Sequence, residues 1–196
     1  MKHLPWLLIG FRLIAAIWLP LLAFYGISHS ILASIFIAGF VSDVFDGILA
    51  RKFEVSTLSL RKADTRTDIC FLLGSGLSVY IVSPSIASDW HFWILGYTVL
   101  FVLRNLVDYF RYGTSPSYHM WSGKLWAILL FVYAFFTLAG LNVSFFIPIA
   151  FTVYTLNTVE GIIATLILPK PSFDIPSLWH AIRLIRSTEQ DAAANP

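Results

Sequence analysis

The sequence has little cysteine and little charge. Its 196 residues include one cysteine, Cys70, which excludes an intramolecular disulfide and a zinc site built from several cysteines. Charged residues make up 12% of the chain and hydrophobic residues 58%, whereas an average soluble domain is about 25% charged. A chain of this size cannot bury so many apolar side chains in one interior, so lipid must surround many of them. No polar stretch is long enough to fold as a separate soluble domain.

Six apolar runs are long enough to cross a bilayer. They lie at roughly residues 4–27, 30–50, 65–83, 91–111, 120–140 and 144–168, and a span needs about 20 residues. Short breaks with turn residues separate them. The first run is too long for the apolar part of a signal peptide and contains Arg12, so we interpret it as a membrane span. The sequence predicts an all-α integral membrane protein with six transmembrane helices.

Lysine and arginine are distributed unevenly between the loops. If the amino terminus is cytoplasmic, the loops at residues 28–30, 84–90 and 140–144 face outward, and they contain neither residue. Loops rich in lysine and arginine remain on the cytoplasmic side of a membrane. Both termini are therefore predicted to be cytoplasmic.

The composition changes at the carboxyl end. We predict a six-helix membrane domain over residues 1–170 and a separate terminal segment over residues 171–196. Apolar and basic side chains between residues 175 and 186 are typical of an amphipathic helix on an anionic membrane surface. A frayed tail is the alternative, and residues 190–196 are predicted to be disordered.

Four aspartates gather where the second apolar run ends and the third begins, namely Asp43, Asp46, Asp64 and Asp68. Their spacing places each pair on one face of its helix. Charged groups within spans are costly and indicate functional sites. Carboxylate ligands favour Mg²⁺, Mn²⁺ or Ca²⁺, and four of them can hold two ions that grip phosphate oxygens. The alternative is a structural ion-pair network with neighbouring cations, namely Arg51, Arg61, Lys62 and Arg66.

These aspartates belong to a pattern that resembles the motif of the CDP-alcohol phosphotransferases. That motif reads DxxDGxxAR, eight residues, G, three residues, D, three residues, D. Seven of its eight fixed positions match, at Asp43, Asp46, Gly47, Ala50, Arg51, Asp64 and Asp68. The eighth position carries Leu60 in place of glycine. The sequence therefore resembles a divergent bacterial branch of the family. Leu4, Pro5 and Arg12 also resemble the start of the family's first helix.

The resemblance implies a membrane enzyme that moves a phosphatidyl group from CDP-diacylglycerol to a small alcohol and releases CMP, in phospholipid synthesis. All four aspartates would bind two Mg²⁺ or Mn²⁺ ions. Asp64 and Asp68 would act in catalysis, with Asp68 as a further ligand or as the base for the acceptor hydroxyl. The nucleotide would contact the residues at the motif's other positions, namely Gly47, Ala50, Arg51 and Leu60. For Arg51, a structural role at the membrane interface is the alternative.

Two basic residues stand where relatives carry the cations of the acceptor pocket. Arg104 and Lys124 would attract a phosphorylated acceptor, and glycerol 3-phosphate is favoured. The alternative is that they form ion pairs with Asp108 and Glu160. The resemblance further implies a homodimer in the bacterial inner membrane, with the active site facing the cytoplasm and no nucleic-acid partner.

Two other functional classes are compatible with aspartates inside a membrane protein. A cation transporter or channel also needs them, although no internal repeat is evident and no acids continue across the membrane. A non-catalytic scaffold is suggested by Leu60. The scaffold has no reason to keep four mutually repelling carboxylates, so the enzyme is the favoured hypothesis.

Overall fold

The computed structural model describes residues 4–52, 58–114, 116, 118–172 and 175–194. Side chains are described for all of these except residues 46, 47, 49–52, 58, 59, 61, 62, 65, 85–90 and 187–194. The described part is helical and contains no strand. Its seven helices are α1 (Leu4–Phe24), α2 (His29–Lys52), α3 (Leu58–Val82), α4 (Pro84–Tyr112), α5 (Trp121–Leu138), α6 (Phe146–Ile167) and α7 (Leu178–Ala194).

Four of the described helices are long and apolar enough to cross a membrane. They are α1, α5, α6 and the part of α4 from His91 to Tyr112. Apolar side chains cover much of their outer surface, as lipid-facing helices require. In α2 the apolar part is shorter, His29–Phe45. The expectation of an all-α membrane protein is therefore confirmed, and the count of six spans stays a prediction.

The helices belong to two compact units, one of Met1–Ser88 with Val132–Ser144 and one of Asp89–Phe131 with Phe145–Pro196. In the first unit α1 packs against both α2 and α3. The side of α1 that faces them carries buried residues three and four positions apart, which is the spacing of one helix face. These residues are Pro5, Ile9, Arg12, Ala16, Leu19 and Ala23.

Small residues allow the helices of the first unit to approach closely. At Gly74 of α3, an added Cβ would collide with the backbone carbonyl of Ala16 on α1. At Gly39 of α2, it would collide with the ring of Phe71, which stacks on Phe36 with centroids 5.8 Å apart. Close backbone approach at small residues is the usual way in which membrane helices pack.

Glycines also end two helices of this unit. Gly26 and Gly140 have φ values of 68° and 84°, which glycine adopts without steric cost. The residue after each glycine donates a backbone hydrogen bond to a carbonyl of the last helical turn. The N–H of Ile27 donates to the carbonyl of Leu22, and the N–H of Leu141 donates to the carbonyl of Phe136. Both glycines thus form Schellman C-caps. The second cap brings Gly140 beside His29, whose Nδ1 lies 3.2 Å from the carbonyl of Leu138.

In the second unit, α7 packs against the carboxyl end of α6. A buried cluster joins them, composed of Tyr118, Met120, Ala164, Leu168, Ile175 and Ala181, with Leu178 and Ile185 packed against it. Much of the apolar face of α7 is thus covered by the protein itself, whereas the amphipathic pattern predicted contact with lipid. Trp179, Arg183, Leu184 and Arg186 remain exposed. The helix continues to Ala194, so residues 190–194, predicted to be disordered, are helical.

Candidate active site

Three aspartates of the motif meet in the first unit. Asp43 lies in the carboxyl-terminal half of α2. Asp64 and Asp68 lie one turn apart on α3, so the side chains of these two share a face. One carboxylate oxygen from each lies within 4.8 Å of the others. The sequence prediction that α2 and α3 bring these carboxylates together agrees with this geometry.

A cation from α1 contacts these carboxylates. Arg12 is 1% exposed, and its two terminal nitrogens bridge the cluster. Nη1 donates to Asp43, and Nη2 donates to Asp64 and lies 3.0 Å from Oδ1 of Asp68. The aspartate side chains are 36–47% exposed. Arg12 therefore reaches the cluster from the protein interior, while the carboxylates remain accessible from the other side.

The packing of α1 explains why the Arg12 side chain lies beside the aspartates. Arg12 and Ala16 are four residues apart on the buried face, and Ala16 is the residue that touches Gly74 of α3. That contact brings the backbones of α1 and α3 together, so a long arginine side chain one turn away can reach the aspartates of α3. The sequence pattern alone identifies Arg12 only as part of the first helix. Its position inside a membrane span is the feature that would have identified it as a site residue.

The remaining predicted site residues of the motif are described less fully. Asp46, Gly47, Ala50 and Arg51 belong to α2, but their side chains lie outside the described part of the chain. The side chains of Arg61 and Lys62, proposed as alternative ion-pair partners, also lie outside the described part. Arg66, a further alternative partner, is exposed. Leu60 is buried, with 4% exposure. It precedes Asp64 by one helical turn, so a buried apolar side chain lies on the same face of α3 as the aspartates.

The donor set fits a hard divalent ion. All three donors are carboxylate oxygens, which Mg²⁺, Mn²⁺ and Ca²⁺ prefer over softer ligands. Opposite ligands of one such ion are separated by about 4.2 Å for Mg²⁺ and about 5 Å for Ca²⁺, and the three oxygens lie within 4.8 Å of one another. One ion can therefore contact all three carboxylates after small side-chain adjustments.

Arg104 belongs to a buried polar network in the second unit. Its Nε donates to Oδ2 of Asp108 at 3.1 Å, and its guanidinium lies 5.1 Å from the centre of the Tyr118 ring. Asp108 is 1% exposed and also accepts a hydrogen bond of 2.6 Å from Thr165 Oγ1. At Gly161 an added Cβ would collide with the guanidinium. The alternative expected for Arg104, an ion pair with Asp108, is present, and its role in acceptor binding stays a prediction.

Lys124 has a different environment. It is exposed, and its ammonium group lies 4.4 Å from the centre of the Trp121 ring, which is a cation–π contact. Glu160, proposed above as its alternative partner, accepts hydrogen bonds from Ser122 Oγ at 2.7 Å and from the backbone N–H of Leu178 at 3.0 Å. Glu160 therefore connects α5, α6 and the first turn of α7. No sequence pattern predicted this link.

The aspartate cluster can hold a divalent cation, and the motif around it resembles that of one enzyme family. No curated protein and no solved structure matches the chain. One family model, described as CDP-alcohol phosphatidyltransferase, matches residues 2–167. This range includes every site residue predicted from the motif and both predicted acceptor cations. The chain belongs to the CDP-alcohol phosphatidyltransferase family.

Proposed function

We propose that the protein transfers a phosphatidyl group from CDP-diacylglycerol to a small alcohol and releases CMP. The observation that carries this proposal is the meeting of Asp43, Asp64 and Asp68 within 4.8 Å of one another, at motif positions of a family that transfers such groups. The acceptor oxygen forms a bond to the phosphorus of the phosphatidyl group. The bond from that phosphorus to the oxygen bridging it to CMP breaks, and CMP keeps the electron pair.

The four aspartates have different roles in this proposal. Asp43, Asp46 and Asp64 would hold Mg²⁺ or Mn²⁺, two ions per site, and the ions would supply positive charge for the diphosphate in an in-line displacement. Asp68 is a further ligand or receives the proton of the acceptor hydroxyl. Its side chain is the most exposed of the three described carboxylates, at 47%, which supports contact with an incoming acceptor.

The nucleotide is proposed to lie along the motif. Gly47 and Ala50 permit close approach to the backbone of α2, and Arg51 contacts phosphate. Leu60 replaces a glycine of the family motif, and its burial on the aspartate-bearing face of α3 supports a changed shape of the nucleotide pocket.

For the acceptor, we propose glycerol 3-phosphate. A phosphorylated alcohol needs cations around its charge, because an unpaired charge in a partly dry site is costly. Arg104 and Lys124 supply two positive charges for it. A neutral alcohol such as serine would not need both.

The membrane arrangement completes the proposal. At 24 and 25 residues, α2 and α3 are about 36 Å long and can cross the bilayer with the four more apolar helices. We propose that all six helices span a bacterial inner membrane, with both termini inside and the active site at the cytoplasmic face. Exposed Arg183 and Arg186 on α7 support contact with anionic lipid. We further propose a homodimer.

The direct test is an acceptor panel. Purified protein is supplied with CDP-diacylglycerol, Mg²⁺ or Mn²⁺ and one alcohol at a time, and CMP is measured. Glycerol 3-phosphate should give the fastest release. Release only with serine or an unphosphorylated polyol would refute the acceptor proposal. If no alcohol works with CDP-diacylglycerol or any other CDP-linked donor, Leu60→Gly should restore turnover, and continued inactivity would reject the transferase.

A further inference from the structure

The aspartate cluster contains a cation that belongs to the protein. Arg12 is 1% exposed, while the three carboxylates that it meets are 36–47% exposed. Nη1 binds an oxygen of Asp43, and Nη2 binds an oxygen of Asp64 and one of Asp68. A divalent ion at this cluster needs oxygens of the same three residues. The guanidinium and the ion therefore require the same ligands.

A buried arginine cannot lose its anionic partners without a replacement, because an isolated charge in an apolar interior is strongly destabilising. The Arg12 side chain lies on the inward face of α1, among the buried residues Ile9 and Leu19 of the same face. The side chain of Arg12 itself is almost completely shielded from solvent. An incoming anion beside the cluster can accept hydrogen bonds from the guanidinium when metal ions take the carboxylate oxygens.

The charge count leads to the same requirement. The four aspartates of the motif and Arg12 together carry a net charge of −3. Two divalent ions change this to +1, so a fully loaded site attracts an anion. The diphosphate of the nucleotide donor supplies both negative charge and oxygen atoms for a planar guanidinium.

We propose that Arg12 is the resident counter-cation of the active site and couples metal binding to nucleotide binding. It holds the aspartates together when no metal is bound and competes with divalent ions for their oxygens. When metal and nucleotide bind together, the guanidinium transfers its hydrogen bonds to the diphosphate. Arg12 is thus a binding residue that contacts the diphosphate in the loaded site, and this role rests on the proposed function of the aspartates as metal ligands.

The test measures Mn²⁺ binding to the purified full chain by electron paramagnetic resonance, with and without CDP. Arg12→Met removes the competing charge, so Mn²⁺ alone should bind about tenfold or more tightly than to the wild-type chain, within the range of ~5–150-fold typical of coupled sites. The factor by which CDP increases Mn²⁺ affinity should fall in the variant. Arg66→Met is the matched control, because it removes an exposed arginine of α3 and should change both quantities much less.

Arg12→Gln is a second neutral variant that retains a hydrogen-bond donor, and it should change both quantities in the same direction. Both Arg12 variants are purified with Mn²⁺ present, because the metal should replace the guanidinium in holding the carboxylates. Their melting temperatures should therefore fall more on removal of Mn²⁺ by a chelator than that of the wild-type chain. Failure to fold even with Mn²⁺ contradicts the proposal, and so do wild-type Mn²⁺ affinity and wild-type CDP coupling in both variants.

The two proposals fail in different ways. If the wild-type chain binds no Mn²⁺ with or without CDP, or if Asp64→Asn leaves Mn²⁺ binding unchanged, the aspartates are not the metal site and the proposed function is wrong. If the wild-type chain binds Mn²⁺ through the aspartates and the Arg12 variants behave like it, only the role of Arg12 is refuted.

Discussion

Gly74 of α3 lies directly against the backbone carbonyl of Ala16 on α1, with no room for a Cβ between them. This contact sets the separation of α1, which carries Arg12, and α3, which carries two of its aspartate partners, Asp64 and Asp68. A methyl group at residue 74 must push the helices apart, because the obstacle is backbone and cannot rotate away. The contact therefore links the packing of the first unit to the geometry of the aspartate cluster.

Gly74→Ala should destabilise the protein by about 1–3 kcal/mol, the usual cost of overpacking. It should also weaken Mn²⁺ binding, because the aspartates of α3 move relative to Asp43. Gly76→Ala is the matched control, since Gly76 is exposed on the same helix and has nothing within 4 Å of an added Cβ. Melting temperatures in detergent, measured with and without Mn²⁺, test the comparison. Equal melting temperatures for the two variants would show that this contact does not limit helix packing.

Asp64→Asn should abolish CMP release while the protein remains folded. The change removes a negative charge that faces Arg12 and the proposed metal ions, and it leaves the side-chain volume almost unchanged. Activity should fall by at least about 100-fold, as for removal of one electrostatic group from an active site. Asp191→Asn makes the same chemical change on α7 and should retain full activity. Turnover of Asp64→Asn near the wild-type level would exclude a two-metal mechanism.

The sequence predicted the helices well because long apolar runs leave few alternatives in a membrane. The run predicted at roughly residues 65–83 is part of α3, which already begins at Leu58. The apolar run marks the part of the helix that fits the hydrocarbon, whereas the helix itself continues through the polar residues before it. The aspartate cluster was also predictable, because its motif spacing places the carboxylates on defined helix faces.

The contact of Arg12 with the aspartates could not be predicted in the same way. Apart from Arg12, helix α1 is apolar on every side, so its sequence indicates a functional residue but not which side chains of α2 and α3 that residue contacts. A similar limit applies to α7. Its amphipathic pattern predicted an apolar face but not the surface that covers it, and in the structure Leu178 and Ile185 pack against the protein.

Glu160→Ala should loosen the attachment of α7. The carboxylate accepts hydrogen bonds from the N–H of Leu178, at the start of α7, and from Ser122. Removing the carboxylate takes a hydrogen-bond acceptor and a negative charge away from the N-terminus of α7. This should lower the free energy of unfolding by about 1–2 kcal/mol. Limited trypsin digestion should then cleave faster after Arg183 and Arg186. Glu160→Gln keeps an acceptor oxygen and should give an intermediate rate; identical digestion of all three proteins would contradict the role of Glu160.

The two proposed acceptor cations, Arg104 and Lys124, differ in how much of the protein's packing is lost when each is replaced. Arg104 pairs with buried Asp108 and packs against Gly161, so its removal disturbs the second unit as well as any acceptor. Lys124 is exposed and contacts the Trp121 ring. Lys124→Met keeps much of the apolar stem and removes only the charge, so its melting temperature should stay close to that of the wild-type chain.

For Lys124→Met we expect the KM for glycerol 3-phosphate to rise about tenfold, because a hydrogen bond between charged groups contributes about 1.5–3 kcal/mol and part of it is replaced by water. Turnover at saturating acceptor should change little, since the lost contact is to the acceptor's own phosphate and not to the reacting hydroxyl. Lys124→Arg keeps the charge and should restore most of the affinity. Arg104→Met should raise the KM as well, but with a lower melting temperature, because buried Asp108 then loses its ion pair with Arg104. An unchanged KM in Lys124→Met would remove Lys124 from the acceptor site and leave Arg104 as the sole candidate of the pair.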